Sequence, residues 1–159
     1  MVDSTWNRLQ LLSEKGDLGN KDKSLFVLNI GMDAFSMDIG CFVRIQNNHY
    51  EIVDSTNPQW KGKSFPIEHT ICQFVIAKQD VLAEHKISVE KLNKYNVKAP
   101  FNFGAYIGLP LYIDGQLHGT LFFASKEPQK YEFSNRDAGY LKMLSGTFLS
   151  LIRESLLTA

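Results

Sequence analysis

The side chains closest to forming a chemical group lie in Glu68-His69-Thr70-Ile71-Cys72. A thiol acts as nucleophile or metal ligand once ionised, and a neighbouring carboxylate or imidazole is the usual means of activating it. A helix over Glu68 to Ala77 would put Glu68 and Cys72 on one face with His69 beside them. Zinc asks for three or four such ligands, and no other cysteine or histidine is close in sequence. The plain structural reading makes Cys72 a small buried residue filling a helix–sheet gap. Cys41 is the only other cysteine among 159 residues. Two cysteines make no disulfide framework, so two buried thiols in a reducing, cytoplasmic setting are expected, with a Cys41–Cys72 bridge as the alternative. His118, between Leu117 and Gly119 on an apolar run, could face a pocket and titrate near neutral pH, or simply be a half-exposed strand residue. His49 and His85 read as surface positions at turns or strand ends. The chain carries no nucleophile–base spacing and no phosphate loop. It is built to hold or signal something rather than to transform it.

These residues have to be positioned by the elements around them. The clearest is Ala105 to Phe123 (AYIGLPLYIDGQLHGTLFF), two apolar runs broken by Asp114-Gly115. Asp-Gly tolerates the positive φ of a two-residue turn, so the segment predicts a hairpin. Ile39 to Gln46 and His49 to Ser55 predict a second hairpin about Asn47-Asn48, with Tyr50, Ile52 and Asp54 on one side of the second strand. Leu25, Leu28, Met32 and Phe35 form an apolar stripe on a helix from Asp22 to Phe35, which Gly31 weakens by about 1 kcal/mol relative to alanine. Trp6, Leu9 and Leu12 mark a short helix before it. Phe65-Pro66-Ile67 is extended because the residue before proline avoids the α region. Val81 to Ala83 predicts a short strand and Ser88 to Tyr95 a short helix. Ser134 and Asp137 mark the start of a closing helix, whose stripe comprises Leu141, Leu144, Phe148 and Leu151, broadened by Ile152 and Leu156.

Composition limits the function. Lys plus Arg and Asp plus Glu number 17 each, for a net charge of zero. Nucleic acid as the main partner would require a basic surplus, so none is expected. No apolar stretch approaches the roughly 20 residues of a spanning helix, and Met1-Val2-Asp3-Ser4 does not open a secretory signal. One domain with one core is expected, with residues 1–21 an N-terminal helix or extension and residues 22–159 the domain and its C-terminal helix.

Four phrases in this order resemble the GAF family of sensory domains. They are Ile39-Gly40-Cys41-Phe42-Val43-Arg44-Ile45 with Tyr50; Phe65-Pro66-Ile67-Glu68-His69-Thr70-Ile71-Cys72; Tyr106-Ile107-Gly108-Leu109-Pro110-Leu111 with Asp114-Gly115 and Gly119 to Phe123; and Phe133-Ser134-Asn135-Arg136-Asp137. The resemblance covers about Asp22 to Glu154 and is to GAF domains of bacterial sensor kinases and diguanylate cyclases. It implies an α+β fold, in which a central antiparallel sheet carries the terminal helices on one face. Loops and short helices would cover a small-molecule pocket on the other. Cys72 lacks the adjacent histidine of bilin-attaching members, so no covalent chromophore is expected. The branch that reduces free methionine sulfoxide uses several cysteines, and this chain has none from Gln73 to Ala159. The dispersed cyclic-nucleotide motif of phosphodiesterase members is not evident either. The cofactor therefore stays unknown, with no metal motif recognised.

Strand alternation refines the site. His118, Thr120 and Phe122 share one side of the last strand, and Leu117, Leu121 and Phe123 the other. The leucine side should meet the terminal helices and the Thr120 side the pocket. The expected ligand-binding residues are Phe65, Ile67, Cys72, Val75, Tyr106, Gly108, Thr120 and Phe122. Gly108 would leave room for a ligand or another backbone. Three functions compete: a sensor module for an unidentified small molecule, a dimerisation module with a vestigial pocket, and a reductase. A homodimer through the terminal helices is expected, because Trp6, Leu9 and Leu12, with Leu151, Ile152, Leu156 and Leu157, exceed what the sheet can cover.

Overall fold

Two core-facing sets of side chains alternate along the central strands, and this sorts the molecule into layers. The computed structural model describes residues 20–94 and 103–158. In chain order these form α1 (Asn20–Phe35), β1 (Ile39–Gln46), β2 (His49–Ser55), β3 (Ser64–Pro66), α2 (Cys72–Lys78), β4 (Leu82–Glu84), α3 (Val89–Lys94), β5 (Ala105–Ile113), β6 (Gln116–Ser125) and α4 (Asn135–Thr158). The six strands make one sheet in the order β3-β2-β1-β6-β5-β4, and every pairing is antiparallel. The predicted helix of Ser4 to Glu14 lies outside the described residues.

Both predicted hairpin turns form. Asn47 and Asn48 have φ of 54° and 60°, and Asp114 and Gly115 have 52° and 79°, the left-handed pair that matches the twist of the flanking strands. Asn accepts this conformation because its short polar side chain bonds locally, and Gly because it has no Cβ.

One face of the sheet carries α1 and α4. Phe42, Ile107, Leu109, Leu111, Leu121 and Phe123 pack there against Val27, Leu28 and Phe35 of α1 and Leu141, Leu144, Phe148 and Ile152 of α4. Phe42 meets Phe148 edge-on at 5.0 Å, and Phe35 meets Phe123 at 5.4 Å. The α1 stripe differs from the predicted one. Val27 and Ile30 are buried, whereas Leu25 and Met32 are only half-buried, because α1 is covered by both the sheet and α4 and so needs a wider apolar face. A Cβ on Gly31 would drive into the Phe123 ring and lie 2.9 Å from Leu144 Cδ2. The helix gives up propensity there to let the ring in. At the start of α4, Ser134 Oγ accepts from the Asp137 amide at 3.2 Å, and Asp137 Oδ2 accepts from the Ser134 amide at 2.7 Å. These two bonds satisfy otherwise orphaned donors.

Two bulges revise the predicted facing of side chains. On β2, Phe42 pairs with Asp54 while Val43 pairs with Ile52. The extra residue, Val53, shifts the pleat. Tyr50 and Ile52 face away from the helices as predicted, but Asp54 pairs with helix-side Phe42, and Ser55 takes its place beside Cys41. On β6, Leu111 pairs with Gly119 and Tyr112 with Leu117. His118 is the extra residue, so Leu117 leaves the side shared by Leu121 and Phe123.

Leu121 is fully buried under the helices. Leu121→Ala is expected to cost about 2–5 kcal/mol, read as a lower urea midpoint with an unchanged m-value. Gly31→Ala should also destabilise, despite alanine's better helix propensity, because Phe123 already occupies the space.

Candidate functional site

The opposite face holds a second core built from all layers of the sheet. Its buried members include Cys41, Val43, Tyr50, Ile52, Trp60, Cys72, Val75, Phe103, Tyr106 and Phe122, with Phe65, Ile67 and Phe74 packed partly buried against it. Pairing sets this face. Val43 lies opposite Thr120 and Cys41 opposite Phe122, while Gly108 lies opposite Phe122 and Pro110 opposite Thr120.

The lid over this face differs from the single helix predicted for Glu68 to Ala77. Ile67–His69 form one 3-10 turn and α2 starts only at Cys72. Thr70 separates them with extended φ and ψ of −122° and 157°, and its hydroxyl donates to the Ile67 carbonyl at 2.7 Å. Glu68 and Cys72 therefore do not share a helical face, and the Glu68–His69–Cys72 grouping dissolves. Glu68 is exposed and Cys72 buried. α2 ends at Gln79, whose φ of 59° is left-handed and whose amide caps the Val75 and Ile76 carbonyls.

Cys72 instead joins the sheet. Its Sγ lies 3.1 Å from Thr120 Oγ1 and 3.6 Å from the Tyr106 hydroxyl. Nearby, the Cys41 thiol donates to Ser55 Oγ at 3.4 Å, and Ser55 Oγ accepts from the Asn57 amide at 3.1 Å. Burial pushes the Cys72 thiol up to about 11, with its bonds to Thr120 and Tyr106 pulling the other way. Burial likewise raises Cys41 to about 12, with Ser55 opposing. Tyr50 and Tyr106 are also held well above the ordinary phenol value, chiefly by burial and then by the proximity of Cys72. The cluster is thus polar but neutral. Both cysteines are free and buried.

Aromatic rings complete the face. Tyr106 stacks on Phe122 with centroids 5.1 Å apart and planes 18° from parallel. Phe103 stands 5.8 Å from Phe122 and 6.2 Å from Trp60. Gly108 was expected to leave room for a ligand or a backbone. The space above it is taken by Tyr106, whose hydroxyl lies 2.8 Å from where a Cβ would sit. Of the eight expected site residues, Cys72, Val75, Tyr106, Gly108, Thr120 and Phe122 converge here, and Phe65 and Ile67 sit at the margin. Cys41, Tyr50, Trp60 and Phe103, which the sequence does not mark as site residues, join them. The hairpin register, with Ile45 opposite Tyr50, carried the signal for Tyr50. Trp60 and Phe103 come from segments without periodicity. His118 is half-buried, and its Nε2 has no hydrogen-bond partner. A shallow open depression lined by Arg44, Gln46, His49, Glu51 and Ser64 lies elsewhere, on the helix-side face by the alternation of β1. Among the described residues no three His, Cys, Asp or Glu side chains are grouped to hold a metal ion, and no helix is long and apolar enough to cross a membrane.

The family model of the GAF domain matches residues 27–148, a span that takes in both sheet faces and most of α4. The chain belongs to the GAF domain family. No curated protein sequence matches it significantly. Among solved structures, the GAF domain of an Acinetobacter phosphoenolpyruvate-protein phosphotransferase aligns over 100% of this chain and 98% of its own, with TM-score 0.79 and 17% identity. A free methionine-R-sulfoxide reductase from Neisseria meningitidis, in complex with its substrate, aligns over 94% and 88%, with TM-score 0.71 and 17% identity. A phycocyanobilin-bound GAF domain from a cyanobacterial phytochrome aligns over 98% and 96%, with TM-score 0.72 and 12% identity. At these identities the likeness establishes the GAF fold: an antiparallel sheet with terminal helices on one face.

The raised thiols give a pH prediction. In the unfolded chain each cysteine ionises near 9.0, whereas folded Cys72 and Cys41 hold their protons to about 11 and about 12. Above pH 9 the unfolded state binds fewer protons, so unfolding becomes easier as pH rises. The stabilisation is complete below about pH 9 and is lost by about pH 11–12. Denaturant titrations across this range should show a steeper fall for the native protein than for a Cys41→Ala, Cys72→Ala double variant.

Proposed function

We propose that this GAF domain is a regulatory sensor, which binds a small molecule on the face bearing Cys72, Tyr106, Thr120 and Phe122 and passes occupancy to α1 and α4. The observation that carries the reading is the neutral polar cluster under a short lid. Hydroxyls and thiols gather among aromatic rings where a purely structural core would be served by aliphatic side chains. α2, which closes this face with Cys72 and Val75, runs directly into Asp80, and Asp80 Oδ1 pairs with Lys142 of α4 at 3.3 Å. The phycocyanobilin-bound GAF domain of the same fold gives the reading its precedent. The module is proposed to work in the cytoplasm, as part of a signalling protein of the sensor kinase or diguanylate cyclase kind.

Catalysis is not part of the proposal. A thiol with a pKa of about 11 is ionised to an extent on the order of 10⁻⁴ at pH 7, too little for an effective nucleophile. Cys72 also has no second thiol beyond Cys41 to complete a reductive cycle. The purified domain is expected not to turn over free methionine-R-sulfoxide in the presence of dithiothreitol. Turnover abolished by Cys72→Ser would make it an enzyme.

The second reading, a dimerisation module, rests on the terminal helices, where Leu149 and Leu151 of α4 are only half-buried. A homodimer through the terminal helices fits both readings, since a sensor needs a partner surface to report through. Light scattering at tens of micromolar should give twice the monomer mass, reduced by Leu151→Glu. A monomeric mass for the unmodified chain would overturn the dimer.

A further inference from the structure

α1 ends in a conformation that its own residues do not favour. Ser36 has a left-handed φ of 53°, at a position usually given to glycine or asparagine. The amides of Ser36 and Met37 bond back to the carbonyls of Asp33 and Met32 at 3.2 and 3.0 Å. The Phe35 carbonyl gets no donor from that pair, and a helix end needs one. It comes from far along the chain. Gln129 Nε2 donates to the Phe35 carbonyl at 2.7 Å and lies 3.3 Å from both the Ser36 carbonyl and Met37 Sδ. Gln129 is half-buried, while residues 126–128 and 130–132 on either side of it are exposed.

The same loop holds chain that covers the site face. The Gln129 amide donates to the carbonyl of His85, just beyond β4, at 2.7 Å, and the Gly104 amide donates to the Ser125 carbonyl at 2.8 Å. The Ile87 amide donates to the Gly104 carbonyl at 2.8 Å and joins these two anchor points. Ile87 packs against the site core, and Phe103, next to Gly104, is buried in it. The approach of Gly104 to the loop is close. A Cβ there would drive into the Lys126 carbonyl and lie 2.6 Å from the Glu127 carbonyl carbon and the Pro128 nitrogen. The Lys126 amide in turn donates to Asp38 Oδ2 at 3.2 Å. Three segments distant in sequence therefore meet at residues 125–129: the end of α1, the exit of β4 and the entry to β5.

We propose that residues 125–129 are a coupling joint, with Gln129 as its tie, which makes the last turn of α1 and the chain around Ile87 and Gly104 open and close as one unit. Gln129 holds one partner by its backbone and the other by its side chain. A shift of its peptide group with His85 carries the side-chain amide away from Phe35 and leaves the left-handed Ser36 unsupported. Motion at the covered edge of the site face thus reaches the C-terminal end of α1 through this joint, without passing through the sheet. The inference goes beyond the sensor reading, since the tie belongs to the fold with or without a ligand.

The test is native-state amide hydrogen exchange on the intact chain, followed by NMR in urea below the unfolding transition. The Ser36 and Met37 amides report on the end of α1, and those of Ile87, Gly104 and Gln129 on the other side of the joint. Leu121 and Phe122, in the centre of the sheet, report global unfolding. The expected result is one urea dependence shared by the two sets and shallower than that of Leu121 and Phe122. Gln129→Leu keeps the bulk and removes the donor, and should speed exchange in both sets by about tenfold or more. Different urea dependences for the two sets overturn the proposal, as does either set following the steep global dependence. Acceleration by Gln129→Leu in only one set, or in neither, also overturns it. If that variant fails to fold, the urea series on the unmodified chain decides alone.

Discussion

The strand pleat is the constraint on which the rest of this molecule depends. On β5 and β6, neighbouring residues serve different cores: Leu121 and Phe123 belong to the helix layer, while Phe122 and Ala124 belong to the site. A side-chain period of two leaves no freedom here, because a slip of one residue would exchange the two sets. The Asp114-Gly115 turn fixes the register at one end, and pairing of β6 with both β1 and β5 fixes it along the length. Which side chains face the helices and which face the opposite core follows from that register.

Where the pleat is unbroken, the sequence was readable. The facing of Tyr106, Gly108, Thr120 and Phe122 follows from alternation, as does the burial of Leu121 and Phe123. Ser134 and Asp137 announced their helix through cap chemistry that needs no tertiary context. Reading failed where one residue interrupts the period. Val53 and His118 have nothing in their own chemistry that marks a bulge, so Asp54 and Leu117 were assigned to the wrong sides. It failed again at Thr70, where a 3-10 turn and α2 meet in a segment whose composition suits one continuous helix. Trp60 and Phe103 reach the site from stretches with no repeating pattern, and only packing could place them. The helix stripe of α1 was legible in outline, yet its width depends on α4 lying beside it, which one helix's sequence does not encode.

The site has an unusual balance of polarity and charge. Hydroxyl and thiol groups are brought together at depth, but burial keeps each one protonated, so the cluster contributes directionality without a net field. Cys72 opens α2, a helix end that by itself favours a thiolate, yet burial dominates and holds the thiol protonated. Two ion pairs of α4 are on the surface. Lys142–Asp80 and Arg153–Asp114 tie α4 to the end of the lid segment and to the hairpin tip, both in solvent, where such pairs contribute little to stability. The grip on α4 is therefore apolar.

The contact between Gly31 and Phe123 has a mechanical consequence. A ring seated where a helix has no side chain acts as a key in a slot. For α1 to slide along the sheet by one turn, about 5.4 Å, the ring would have to leave the gap at Gly31 and press against Val27 or Phe35, neither of which has room for it. Tilting about the keyed point leaves the ring seated and moves the helix ends most. A push on the sheet side of α1 would thus become an angular displacement with its fulcrum at Gly31, toward the C-terminal end of the helix, so that the Asn20 end travels farthest.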